Sequence, residues 1–157
     1  MKRGGIYWVL CGIVGFTSCG PEPVFSDSAP VDSAGWQANE AIEFTWDVED
    51  TLGTYDFFLD VRHDQTYPFS NLYLFLEFSF PNGRLGRDTL GCDLADERGQ
   101  WYGSGFGNLV DHRIGFHRET RFPLKGEYGL VIRHAMRKDP LPGITDIGFR
   151  LESHPSE

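Results

Sequence analysis

The stretch "NLYLFLEFSF", Asn71 to Phe80, decides the fold. Leu72, Leu74, Leu76, Phe78 and Phe80 fall on one parity, and Tyr73, Phe75, Glu77 and Ser79 on the other. Side chains alternate faces along an extended chain, so a period of two describes a strand with one face in a core and the other toward water. Immediately after it, "FPNGR" carries Asn82-Gly83, the dipeptide that closes tight hairpins. The same period recurs on both sides. "YDFFLDVRH" sets Phe57, Leu59 and Val61 against Phe58, Asp60 and Arg62. "GEYGLVIRHAM" sets Tyr128, Leu130, Ile132 and His134 against Gly129, Val131 and Arg133. "ITDIGFRLE" sets Thr145, Ile147, Phe149 and Leu151 against Asp146, Gly148, Arg150 and Glu152.

Turn signals separate these segments at "ERGQ", "PLKGE" and "DPLPG". No window of helical length carries an apolar stripe at helical spacing, and glycine is scattered throughout, 19 in all. Short alternating strands divided by turns predict one all-β domain, an antiparallel β-sandwich of jelly-roll or Ig-like type over residues 37–157. There is no internal repeat and no second domain.

The N-terminus has a different logic. "MKRGGIYWVLCGIVGFTS" begins with Lys2 and Arg3, runs apolar from Ile6 to Phe16 and ends on small residues. That is the layout of a secretory signal peptide over residues 1–18, too short for a comfortable transmembrane helix. Phe16-Thr17-Ser18-Cys19 resembles the lipobox of bacterial lipoproteins, which predicts cleavage before Cys19 and acylation of its thiol. Two or more acyl chains suffice for stable membrane anchoring. The following "GPEPVFSDSAPVDSAGW" is rich in Pro and Ser, so residues 19–36 read as the lipidated cysteine and a tether, whose later part could join the first strand.

Charge narrows the function. The chain holds 14 Lys and Arg against 23 Asp and Glu, a net −9. The signal segment carries two of those cations and no acid, so its removal takes the net charge to −11. Such a surface repels phosphate backbones, which argues against nucleic-acid partners, and lipid rather than protein charge must hold it at a membrane. Cys11 leaves with the signal and Cys19 is committed to lipid, so Cys92 has no disulfide partner. Its setting, "TLGCDL", predicts a buried, inert thiol.

Chemistry-bearing motifs are weak. Ser104 in "YGSGFG" lacks the flanking glycines of a nucleophile elbow, with Tyr102 and Phe106 in their places. Gly103, Gly105 and Gly107 read as a bend where strands approach closely. Of the five histidines, His134 falls on an inward parity, while His63, His112, His117 and His154 are expected at the surface, and none has zinc-ligand spacing. Asp47/Glu49/Asp50 and Asp93/Asp96/Glu97 are the candidate calcium clusters, yet neither has a spaced ligand loop, so solvated acidic turns are expected and no metal or other cofactor. The suggestive feature is aromatic. "GQWYGSGF" sets Trp101, Tyr102 and Phe106 among glycines beside Asp96 and Glu97, where Trp101 is either a core plug or the anchor of a contact surface.

"YPFSNLYL" (Tyr67–Leu74), "DTLGCDLADERGQWYGSGFG" (Asp88–Gly107) and "GEYGLVIRHAMRKDPLPGITDIGFRLE" (Gly126–Glu152), in that order behind a lipobox, resemble the gliding-motility lipoprotein GldH family of Bacteroidetes. The resemblance spans about Phe44 to Glu152. It implies a non-enzymatic lipoprotein of the cell envelope, held at the outer membrane through Cys19 and working with envelope protein partners beside the gliding and type IX secretion machinery. It supplies no catalytic residues. "GPEP" after Cys19 carries one acid and two prolines, which favours the periplasmic side over surface display. The alternative is a carbohydrate-binding sandwich lipoprotein, with rings such as Trp101 stacking on sugars.

Overall fold

A computed structural model describes residues 23–154; the signal peptide and Cys19 lie outside them. The described chain is eight strands and no helix: β1 (Pro23–Pro30), β2 (Ile42–Val48), β3 (Tyr55–Asp64), β4 (Asn71–Ser79), β5 (Leu85–Asp93), β6 (Leu109–Thr120), β7 (Gly126–His134) and β8 (Ile144–Ser153). They form two antiparallel sheets of order β1-β8-β3-β6 and β2-β7-β4-β5. Eight strands wound this way make the jelly roll, which resolves the expected sandwich in favour of that topology.

The alternation predicted for β4 holds: Leu72, Leu74 and Leu76 are buried, and Tyr73 and Phe75 are exposed. Leu59, Val61, Leu130, Ile132, Ile147, Phe149 and Leu151 meet them from the other central strands. Phe149 is the hub, with ring centroids of Phe25, Phe44, Trp46, Phe57 and Phe116 at 5.0–6.3 Å. Aromatic pairs at such distances each add about 0.5–1.5 kcal/mol beyond area burial. Asn82-Gly83 closes the β4–β5 hairpin, Gly83 taking a φ of 79°.

One boundary differs from expectation. Residues 23–36, read as tether, belong to the domain: β1 pairs along β8 from Pro23↔Glu152 to Pro30↔Asp146, and Trp36 is fully buried against Leu141. An edge strand tolerates prolines and polar residues because one side of its backbone pairs with nothing, so its composition looks like a linker.

The topology sorts the loops. Pro23, the turns 49–54, 80–84 and 121–125, and Ser153 share one end of the sandwich, the near end; residues 31–41, 65–70, 94–108 and 135–143 share the other, the far end. β1 alone separates the two by about 25 Å at a strand's rise per residue.

Candidate functional site

The site suggested by the aromatic–glycine segment is the loop 94–108 at the far end. Its first half is stitched down by backbone: Leu94 and Ala95 N–H both donate to the Ser70 carbonyl, at 2.8 and 3.0 Å. Asp96 closes a turn, its carboxylate accepting from the N–H groups of Arg98 (2.9 Å) and Gln100 (2.8 Å). Asp96 is thereby committed to local structure, while Glu97 stays exposed at the tip. Tyr102 N–H then donates to the Leu94 carbonyl at 2.9 Å.

The second half folds back on β6 through a reciprocal backbone pair between Ser104 and Asp111, at 3.1 and 2.8 Å. The glycines make that approach possible. A Cβ on Gly103 would meet the Asp111 carbonyl oxygen, with the His112 ring at 2.9 Å, and one on Gly105 would overlap the Leu109 carbonyl.

Trp101 and Tyr102, being adjacent, point opposite ways. Trp101 is half-buried with its indole 4.4 Å from the His63 ring, while Tyr102 is 66 % exposed and Phe106 95 %. Trp101 therefore plugs the loop to the domain, and Tyr102 and Phe106 are bare rings on the same loop as the exposed Glu97.

Beneath the plug lies a feature opposite to expectation. His63 and His112 are buried, their Nε2 atoms 3.0 Å apart and their rings nearly parallel at 21°. His63 Nδ1 lies 2.9 Å from the Asp64 carbonyl oxygen and donates to it. That leaves its Nε2 lone pair to accept from His112 Nε2–H across the paired strands. Burial, then the neighbouring His63, pushes the His112 pKa down to about 4. The parity carried the signal for both: His63 continues the inward series Phe57, Leu59, Val61, and His112 follows the buried Val110.

The other candidates disperse. Asp50 closes a near-end turn, accepting from Leu52 and Gly53 N–H at 2.8 and 3.2 Å, and Asp47 and Glu49 are exposed. Asp93 is exposed at the end of β5. Among the described residues no three His, Cys, Asp or Glu side chains converge in a way that could hold a metal ion. Cys92 is buried and its thiol is pushed up to about 12, by burial first and Asp93 second. On the outer face of the β1-containing sheet, Arg62–Asp111 (2.6 Å) and Arg113–Asp60 (2.8 Å) pair across β3 and β6.

The segments that carried the family resemblance pack on one another here. A Cβ on Gly143, at φ +84°, would overlap the Tyr67 backbone, and Tyr67 donates its hydroxyl to the Asn71 carbonyl at 2.7 Å. Ala135 N–H donates to the Tyr73 carbonyl at 2.7 Å.

Comparison with known proteins agrees. The family model described as GldH lipoprotein matches residues 23–151. A protein of Christiangramia forsetii named gliding motility lipoprotein GldH homolog is 33% identical over 154 residues, covering 94% of each chain. The gliding motility lipoprotein GldH of Flavobacterium johnsoniae is 33% identical over 159 residues, covering 97% of each. Among solved structures, a family GH115 4-O-methyl-alpha-glucuronidase is similar over 98% of this chain and 20% of its own, with TM-score 0.42 and 11% identity. The VP2 subviral particle of infectious bursal disease virus is similar over 85% of this chain and 31% of its own, with TM-score 0.34 and 12% identity.

Proposed function

Because the chain belongs to the GldH lipoprotein family, a gliding-motility lipoprotein family of the cell envelope, we propose that it is a non-enzymatic partner-binding component of the gliding and associated type IX secretion machinery. In this reading residues 1–18 are the signal peptide, Cys19 carries the lipid, and residues 19–22 form the tether, shorter than the composition suggested because β1 begins at Pro23. The lipid holds the domain on the periplasmic side of the outer membrane.

The observation that carries the proposal is polarity. The chain enters the sandwich at the near end, and Tyr102 and Phe106 stand bare at the far end on the loop that also carries the exposed Glu97. An aromatic pair with a charged edge has the anatomy of a contact surface, and a tether leaves that surface free to meet a partner. In the same region the buried His63–His112 pair lies beneath Trp101.

The test is twofold. Labelled palmitate enters the wild-type protein and not Cys19→Ala, which shifts the domain from the membrane to the soluble fraction. Crosslinked membranes yield a partner with wild type and less of it with Tyr102→Ala. Unchanged membrane association of Cys19→Ala contradicts the anchor. A Tyr102-dependent signal on a glycan array, with no protein partner, moves the contact surface to carbohydrate.

A further inference from the structure

At the near end the two sheets part around an apolar slot of about 160 Å³. Trp46, Phe57, Phe78, Phe80, Phe122 and Tyr128 make its walls, and Thr120 and Arg121 stand among its polar residues. Apolar cavities of ~150 Å³ stay dry and accept a ligand the size of benzene. One wall carries an unmet demand. Trp46 is 6% exposed, and its indole Nε1–H has no hydrogen-bond acceptor within the protein. That Nε1–H is itself closed off from solvent, so the slot offers a ligand the apolar face of the indole, and its polar groups are Thr120, Arg121 and His117.

Register fixes what lies close by. Pro23 pairs with Glu152, Glu152 with Asp56, and the neighbouring Tyr55 with Thr120. Pro23 and Thr120 thus sit three strand spacings apart along one end of the sheet, about 15 Å. Residues 19–22 extended reach about 14 Å. Phe25, two residues into β1, already packs on Trp46 with ring centroids 5.9 Å apart. The geometry points to the slot as a site for an acyl chain, and to one chain of the lipid on Cys19 as its occupant. The occupant rests on the reading of Cys19 given above. The first methylenes of the acyl chain lie against the aromatic walls, the rest of the chain leaves by the open side of the slot, and the carbonyl of its ester or amide linkage accepts from Thr120 or Arg121. The remaining chains stay in the bilayer, so the domain is held with its near end against the membrane instead of swinging on the tether.

The experiment uses brominated palmitate, a contact-range quencher of tryptophan, with the unacylated mature chain of residues 20–157, which contains every described strand and core residue. Saturable quenching at one equivalent is expected. Trp101→Phe leaves that quenching intact, Trp46→Phe removes it, and Thr120→Trp, which blocks the mouth, weakens binding by at least about tenfold. Acylated protein purified from membranes into nanodiscs binds the probe at least about tenfold more weakly, because its own chain competes at a millimolar effective concentration. Absence of saturable quenching in the unacylated chain overturns the site. Equal quenching in acylated and unacylated protein overturns the occupant. Binding by the slot in a protein that never incorporates labelled palmitate also overturns the occupant, and it separates that failure from a failure of the slot.

Discussion

The two ends of this jelly roll are built from the same strands and differ in almost everything else. The near end uses short turns, 80–84 and 121–125 among them, around an aromatic slot at the same end as the first residue of β1. The far end uses longer loops tied to each other by backbone hydrogen bonds, with the buried His63–His112 pair under Trp101 and two exposed rings outside. Short turns leave few groups to recognise anything, while long loops on a rigid scaffold are where proteins place binding residues. Under the proposed function, the contrast puts attachment at one end and contact at the other.

Five substitutions and a change of pH probe that division, in order of expected effect. Leu74→Asp unfolds both ends together, because an unpaired carboxylate in the shared core costs several kcal/mol. Loss of the strand signal in far-UV circular dichroism checks it. Gly143→Ala forces a side chain into the Tyr67 backbone at a positive φ and destabilises by about 3 kcal/mol. Hydrogen exchange then rises in 65–70 and 135–143 before it rises in 80–84. Trp101→Ala removes a half-buried plug and costs about 2 kcal/mol, less than the 3–5 typical of a fully buried ring, as read from thermal denaturation.

Acid acts on the far end as well. The folded protein holds His112 well below its ordinary value near 6.5, by burial first, and His134 is lowered by the same cause. The unfolded chain binds those protons at higher pH, so the stabilisation is full above about 6.5 and drains away as pH falls toward 4. Exchange protection at Trp101 and Tyr102 therefore falls between pH 7 and 4.5 while that of 121–125 is retained, and His112→Asn flattens the response. The smallest effect belongs to Tyr102→Ala. Its melting temperature stays within the ±0.5 kcal/mol equivalent of a surface change, while partner recovery drops.

Legibility followed burial. β4 was readable because it is central in its sheet with one face in the core, which imposes a clean period. β5 and β1 are edges. In β5 only Cys92 is buried and Leu85 is 59% exposed, so parity carries little there, and β1 passes for linker. Cys92 and Leu74 were placed correctly by their neighbours alone. The histidine pair was missed because spacing rules search for ligands along the chain, whereas His63 and His112 meet across two paired strands. The slot had no sequence signal at all. Its walls come from β2, β3, β4 and β7 and the loops after β4 and β6, each residue reading as ordinary core.

The division of labour between the ends is tested most directly by photo-crosslinking in living cells, with the reactive amino acid placed either at Tyr102 or at Asn82 of the near-end turn. Protein adducts from position 102, and lipid or no protein adducts from position 82, are the predicted result. Protein adducts from position 82 with none from 102 would contradict it.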